Sequence, residues 1–433
     1  MPLTSVESTN ADADGAGNGN RNFRAPAELF AQWISPMDWN MDQIAGRACS
    51  DLVCFAHLRW DFVFQRPQHL LSRAADHFRV HYFEEPIYEN VSTPCLDAKL
   101  APEGVCVIKP VLPLGTGPSD ATRIQRKLVA DYVRDNCERS AVGWYYTPAA
   151  LSFTRQLSFS VTVYDCMDEL SQFKGASPEL VTLERELLQR ADAVFTGGLS
   201  LFEAKAKLHD NVHVLPSSVD VAHFLPARSR DCTEPLDLAA IPHPRIGYFG
   251  VIDERIDYAL IDELAAAKPD WQIVMIGPTA KVEISDLPSR ANIHWLGRKD
   301  YKQLPEYLAY LDVGFMPFAM NAATRFISPT KTPEFLAAGC PVISTPVLDV
   351  VRTWGEWQLV EIAHDARAAS EAVERLLAHR DRSPWLAQVD EKLSRLSWDR
   401  TWSSMLREIE RLMPRTERKT STRALSPVAV SHV

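Results

Sequence analysis

The sequence predicts an α/β chain built of two doubly wound parallel sheets that face each other across a cleft. Three observations predict it. From Asp51 to Asp220, short apolar runs alternate with runs of helical spacing. The same alternation restarts at Arg245. Between them lies "LPARSRDCTEPLDLAAIPHP", rich in proline and charge and without period. Alternating strands and helices imply a parallel sheet covered on both faces. A proline-rich break in periodicity marks a linker.

In the first half "DLVCFAH" reads as a strand, followed by "RPQHLLSRAADHF" with Leu70, Leu71, Ala74 and Phe78 at helical spacing. "RVHYFEEP", "AVGWYYTP", "VTVYDCMD" and "DAVFTGG" read as further strands. "SPELVTLERELLQRA" and "LSLFEAKAKLH" are helices, and "NVHVLPSSVD" closes the series. In the second half the strands are "RIGYFG", "WQIVMIGP", "NIHWLG", "DVGFMPF", "CPVIST" and "WQLVEIA". The helices are "IDYALIDELAAAK", "YKQLPEYLAYL", "PEFLAAG" and "ARAASEAVERLLAHR". A last helix, "WDRTWSSMLREIERLM", follows once that series is complete. The predicted organisation is an extra segment at 1–46, a first domain at 47–228 and a linker at 229–244. A second domain at 245–395, a helix at 396–414 crossing back to the first domain, and a tail at 415–433 complete it.

Composition narrows the function classes. The chain has 433 residues, 46% hydrophobic and 24% charged, with a net charge of -10. That balance argues against general nucleic-acid binding, which needs a basic surface to neutralise phosphates. The eight cysteines form no CxxC and no Cys/His cluster with zinc spacing, so no structural metal is expected. Several lie in apolar runs, as befits small buried hydrophobes in a reducing compartment. No apolar run reaches the ~18 residues of a membrane span. The polar, Gly/Asn-rich start lacks the apolar stretch of a signal peptide and reads as disorder, as does the tail. The expected location is cytoplasmic.

"SPTKTPEFLAAGCPVIST", Ser328 to Thr345, carries the most chemistry. A proline is tolerated only in the first turn of a helix. Thr332 is therefore the expected N-cap and Pro333 the first helical residue. That leaves Lys331 outside the helix and Glu334 in its first turn, with Gly339 at the end. A helix start suits an anionic phosphate. Lys331 adds a mobile charge, and Glu334 an acceptor for both hydroxyls of a ribose. A phosphate beside a diol describes a nucleoside diphosphate. The stretch also reads as an ordinary helix opening, since the dipole favours an early acidic residue. Nearby, Gly250 follows a strand without forming GxGxxG, and Arg255 lies within reach of a bound phosphate. Leu296-Gly297-Arg298 end another strand where backbone can meet a nucleobase edge.

Taken together, "GYFG", "HWLG", "LPEYLAYLDVGFMPF" and "SPTKTPEFLAAGCPVIST" resemble the donor domain of GT-B glycosyltransferases, close to family four. "HLRWDFVFQRPQHLLSR" and "YDCMDELSQF" resemble a bacterial subgroup with teichuronic-acid-type and exopolysaccharide glycosyltransferases. The resemblance runs from about Asp51 to about Met413. It implies a GT-B fold of two Rossmann-like domains and a nucleoside-diphosphate sugar as donor. Transfer would go to a saccharide or lipid-linked acceptor, with retention and without a required metal or other cofactor. On the donor side it implies Gly250, Arg255, Leu296, Gly297, Arg298, Arg325, Ser328, Lys331, Thr332 and Glu334, with Glu334 on the ribose and the basic residues on the diphosphate. Two positions depart from the family pattern. Phe326 stands eight residues before Glu334, where the family has a glutamate that touches the donor sugar. Val251 stands near the family's usual arginine in the glycine turn, and Arg325 or Lys331 are the expected replacements.

On the acceptor side, His57, Trp60, Asp61, Gln65 and Arg66 crowd the loop after the first strand, where a site belongs in this architecture. Trp60 offers a face for a sugar ring. The competing reading is a well-bonded loop in which Arg66 and Asp61 pair. Asp165 and Asp168 follow another strand. Asp168 either orients or deprotonates an acceptor hydroxyl or caps the next helix. His57 is a second catalytic candidate beside Asp168, Arg255 and Lys331. The basic helix "ATRIQRKLVADYVRDNCER", with Arg123, Arg126, Lys127 and Arg134, reads either as a solvated face or as a contact with anionic lipid at the inner membrane surface. Two other function classes stay open: an epimerase acting on the nucleotide sugar, and a non-catalytic binding or scaffold subunit.

Overall fold

The computed structural model describes residues 51–229, 231–379 and 381–414. The segment predicted at 1–46 and the tail at 415–433 lie outside the described residues.

The first sheet holds β1 (Asp51–Phe55), β2 (Arg79–Phe83), β3 (Ile87–Glu89), β4 (Cys95–Leu100), β5 (Val105–Pro113), β6 (Val142–Tyr145), β7 (Val161–Cys166), β8 (Ala193–Thr196) and β9 (Val212–Val214). Its order is β3-β5-β2-β1-β6-β7-β8-β9, with β4 antiparallel on β5 and every other pair parallel. The second sheet holds β10 (Arg245–Phe249), β11 (Gln272–Ile276), β12 (Ile293–Gly297), β13 (Val313–Met316), β14 (Val342–Ser344) and β15 (Val360–Ile362). Its order is β12-β11-β10-β13-β14-β15, parallel throughout. Strand order reverses at β1 in one sheet and at β10 in the other. Ligands bind beyond the carboxyl ends of strands at such switch points. The loops after β1 and β10 are therefore where a site should form.

The longer helices are α1 (Arg66–Ala74), α2 (Pro118–Asn136), α3 (Glu179–Arg190), α4 (Leu199–Lys205), α5 (Tyr258–Ala267), α6 (Lys331–Ala337), α7 (Ala366–Ala378), α8 (Ser383–Leu393) and α9 (Trp398–Leu412). Trp398, Trp402, Met405 and Ile409 form one apolar stripe on α9 and are buried in the core of the first half, as an i, i+4, i+7 pattern requires. Ser397 caps α9 by accepting from Arg400 N at 3.1 Å. His69 of α1 stacks on the Trp398 ring at 4.4 Å.

Three features differ from the sequence reading. Val219, Phe224, Ala227, Leu238 and Ile241 belong to the core of the second half, so the stretch read as a linker at 229–244 is packed and the changeover falls earlier. Strands β3 and β4 at one edge of the first sheet, β5 beside them, and helix α8 lie outside the elements read from the sequence. Pro94, Pro102, Pro110 and Pro113 interrupt the strand pattern of this region, because proline cannot donate to the ladder. Finally, α6 starts at Lys331 with Thr330 as its N-cap. Lys331 is helical rather than outside, and Thr332 is not the cap. Pro333 occupies the last position whose N–H has no intrahelical partner, and Glu334 N makes the first such bond, to Thr330 O at 3.3 Å. Helix α6 closes as expected: Gly339, at φ 72, donates to Leu336 O and Cys340 N to Phe335 O, the Schellman arrangement.

On α2, Arg123 pairs with Asp120, Lys127 with Asp131, and Arg134 with Asp131 and Asp135. Three of the four named cations are thus matched along the helix itself, as on a solvated face, and Arg126 donates to Ser152 O at 3.0 Å. Among the described residues, no helix is long and apolar enough to cross a membrane.

Candidate active site

A cavity of about 1090 Å³ lies between the two halves. Its walls are the loops after β1 and β7 on one side, and the turn after β10, the segment after β12 and the start of α6 on the other.

The β10 turn is shaped by glycine. Gly250 and Gly277 have φ of 139 and 150. A Cβ at Gly277 would overlap the Gly250 carbonyl, and one at Gly250 would meet Tyr248 Oη at 2.8 Å and Lys331 Cε at 3.0 Å. Only glycine adopts this backbone and permits the close approach. Lys331 Nζ sits 5.7 Å from the centre of the Phe249 ring and donates to Thr330 Oγ1 at 3.0 Å. It lies 4.0 Å from Glu334 Oε2, which has no hydrogen-bond partner. Glu334 is only 5% exposed. Burial pushes its carboxyl up to about 7, against the opposing pull of Lys331. A buried acceptor with nothing to accept is poised for a hydroxyl donor.

Arg255 reaches the same cavity and is held by Asp253, with Nε to Oδ1 at 3.0 Å and Nη2 to Oδ2 at 2.7 Å. Burial works against its charge, but Asp253 and Asp168 outweigh it, and its pKa lies above the ordinary value. Asp168 faces this group. Burial pushes its carboxyl up to about 6; Asp253 adds to the rise, while Arg255 and Arg66 oppose it. The short 3-10 turn that follows, Leu170–Gln172, has Glu169 in the N-cap position and takes no side-chain cap, so Asp168 is not its cap.

Of the residues predicted from sequence, Trp60, Asp61, Gln65, Arg66, Asp168, Gly250, Arg255, Arg298, Ser328, Lys331 and Glu334 line the cavity together. His57, Asp165, Leu296, Gly297, Arg325 and Thr332 do not. The burial of His57 and the charge of Lys281 push its ring down to about 4, so it is neutral and set apart from the cavity. Asp165 is fully buried and receives Arg66 Nε at 3.1 Å and Nη2 at 2.7 Å. Arg66 thus pairs with Asp165, not with Asp61, and binds the scaffold more than a ligand. Asp61 is exposed and lends its carbonyl to Arg298 Nη2 at 2.9 Å. Gln65 sits at the start of α1 and donates N–H to Gln68 Oε1 at 3.0 Å. Trp60 makes a T-shaped contact with Tyr82 at 5.0 Å and is only 5% exposed, which leaves little ring face open for a sugar. Thr332 is buried and directs Oγ1 at Met316 Sδ. Arg325 is exposed and rests over the Phe326 ring at 5.2 Å. Leu296 and Gly297 belong to β12, where Gly297 O accepts Gly277 N.

Sequence reasoning missed Phe64, Tyr248 and Tyr301, which also line the cavity. Tyr301 lies directly after "GRKD", and its position just past a strand end at the cleft was the available signal.

Residues 243–379 match the family described as glycosyl transferases, group 1. The match falls within the second half. A Bacillus subtilis (strain 168) protein described as a teichuronic acid biosynthesis glycosyltransferase, TuaH, is 29% identical over 228 residues, 48% of this chain and 56% of that protein. The chain thus spans about half the length of this curated relative. Among solved structures, sucrose-phosphate synthase from Thermosynechococcus elongatus aligns at 16% identity and TM-score 0.60 over 84% of this chain and 99% of its own. A trehalose-6-phosphate structure from E. coli bound with UDP-2-fluoro glucose aligns at 13% identity and TM-score 0.61, over 84% and 100%. At such identities the likeness shows the fold, which is GT-B.

Proposed function

We propose that the chain transfers a sugar from a nucleoside-diphosphate sugar to a saccharide or lipid-linked acceptor, in the synthesis of bacterial surface polysaccharide. The observation that carries this reading is the buried Glu334 carboxylate with an empty acceptor position beside Lys331, inside the cavity between the halves. The group 1 match over 243–379 supports it, as does the similarity to a protein described as a teichuronic acid glycosyltransferase.

In this reading Glu334 takes the ribose and Lys331 the diphosphate. Lys331 and Arg255 place fixed positive charge where the leaving diphosphate gains negative charge, the kind of preorganised stabilisation that lowers a barrier most. These cations serve in place of a metal. Asp168 holds or deprotonates the acceptor hydroxyl from the opposite wall. The enclosing halves exclude water and so limit hydrolysis of the donor. Retention at the anomeric carbon is part of the proposal and is read from the coupling of the anomeric proton in the product. The chain would work in the cytoplasm, with its acceptor at the inner membrane surface.

Thermal-shift measurements with UDP, GDP, ADP and dTDP sugars test the reading. One of them is expected to raise the melting temperature, and Lys331→Ala and Glu334→Ala each to weaken that effect. Stabilisation by none would overturn the nucleotide reading. Acceptor-dependent release of the nucleoside diphosphate separates a transferase from an epimerase.

A further inference from the structure

We propose that Tyr301 is a second recognition residue for the donor: its hydroxyl and the Glu334 carboxylate form a two-point site for the vicinal diol of a ribose. The inference rests on the nucleotide-sugar reading above and goes beyond it, since nothing in the family match points to Tyr301.

Buried polar side-chain atoms nearly always have partners. Glu334 Oε2 and Tyr301 Oη have none, and both residues line the cavity. They stand close enough that Glu334's charge, after burial itself, helps raise the tyrosine's pKa above its ordinary value. The phenol therefore keeps its proton and donates. An ionised carboxylate only accepts, whereas a phenol donates one hydrogen bond. A diol answers both needs: one hydroxyl donates to Glu334 and its neighbour accepts from Tyr301.

The tyrosine is also held in place. Its ring lies between His223, at 4.3 Å and 11°, and Phe64, at 4.8 Å and 26°. His69 meets it edge-on at 5.6 Å. His223 Nε2 lies 3.0 Å from the Tyr301 carbonyl oxygen, which fixes the backbone of this turn. Phe64 and His69 come from the first half. The acceptor-side half thus holds a donor-side hydroxyl in position, and ribose recognition depends on the two halves being together.

The test compares UDP, GDP and ADP with their 2′-deoxy and 3′-deoxy forms by calorimetry on the full chain. In whichever set binds, the wild type is expected to favour the ribose form by roughly 10-fold over at least one deoxy form, the scale of one hydrogen bond to a charged or buried group. Tyr301→Phe keeps the stacked ring and removes only the hydroxyl. It should reduce that preference several-fold while leaving affinity for the deoxy form unchanged. Phe64→Ala keeps the hydroxyl but frees the ring, and should reduce the same preference in part. If Tyr301→Phe leaves both ribose-to-deoxy ratios at wild-type values, the assignment of Tyr301 is wrong and the donor site stands. If none of the three nucleotides binds the wild type, the donor reading falls and this assignment with it.

Discussion

Asp349 caps a helix in the other half of the molecule. Its carboxylate accepts the backbone N–H of Ser200 at 3.0 and 3.3 Å, at the start of α4. Asp349 comes from the short helical turn Leu348–Val350 after β14 and is 2% exposed. A Cβ at Gly198 would overlap this carboxylate and lie 2.8 Å from Ser328 Cβ. Arg352 reinforces the contact by pairing with Glu203 on α4 at 3.0 Å. The clasp thus joins α4 of the first half to the segment that follows β14 in the second.

Loss of this cap should loosen the halves. Asp349→Ala is expected to cost about 0.5–2 kcal/mol, the range for an N-cap. It should also speed hydrogen exchange at the amides of 199–202. Gly198→Ala should do the same by steric overlap. Unchanged exchange at those amides would show that the clasp is not what holds α4 to the second half.

Glu334 trades stability for recognition. The carboxyl titrates at about 7 in the folded protein against an ordinary value of 4.5, because burial disfavours its charge. Between those values the folded form keeps a proton that the unfolded chain has released. Its contribution is therefore fully present below about 4.5, falls as pH rises, and is lost above about 7. Glu334→Gln removes the penalty. It should raise the melting temperature at pH 8, change it little at pH 4, and weaken nucleotide binding at both. A variant no more stable than wild type at pH 8 would contradict the buried, unpaired charge.

Asp168 should set the acid limb of activity. Its carboxyl titrates at about 6. If it serves as a carboxylate, kcat at saturating donor rises with pH through about 6 and then levels. Asp168→Asn should remove that limb and lower kcat by roughly 10²–10⁴, the usual contribution of general acid–base catalysis. An unaltered profile in the variant would assign the limb to another group.

The Arg66–Asp165 pair belongs to the scaffold. Arg66→Ala leaves Asp165 charged and enclosed, which costs about 3–5 kcal/mol when a buried pair is broken. Replacing both together, Arg66→Met with Asp165→Leu, should cost less than the single change, because neither residue is left as an unpaired buried charge. Denaturant midpoints of the two variants decide it.

The sequence showed what is encoded locally. Alternation gave both sheets, the Gly339 stop ended α6, and the proximity of Lys331 and Glu334 pointed to the cavity. Relations across the chain were hidden. Nothing near Arg66 says that its partner is Asp165, 99 residues away, and Asp61 was the nearer choice. Pro333 bounded the start of α6, but a first turn has room for proline at more than one position, so the cap was misplaced by two residues. The apolar residues Val219, Phe224 and Ala227 sit at the close of the first series, and their membership of the second core is a tertiary fact. Tyr301 gains its meaning only when Phe64 and His223 arrive on its two faces.

Helix α9 has a consequence for the order of synthesis. The first half is translated first, yet Trp398, Trp402, Met405 and Ile409 complete its core. On the ribosome, domains generally fold as units from the N-terminus. Here the leading domain waits with an open apolar face until the last described helix has emerged, while the trailing domain already has all of its own core residues. The half made first is therefore finished last, and a nascent chain stalled before Trp398 exposes the surface that chaperones would have to cover.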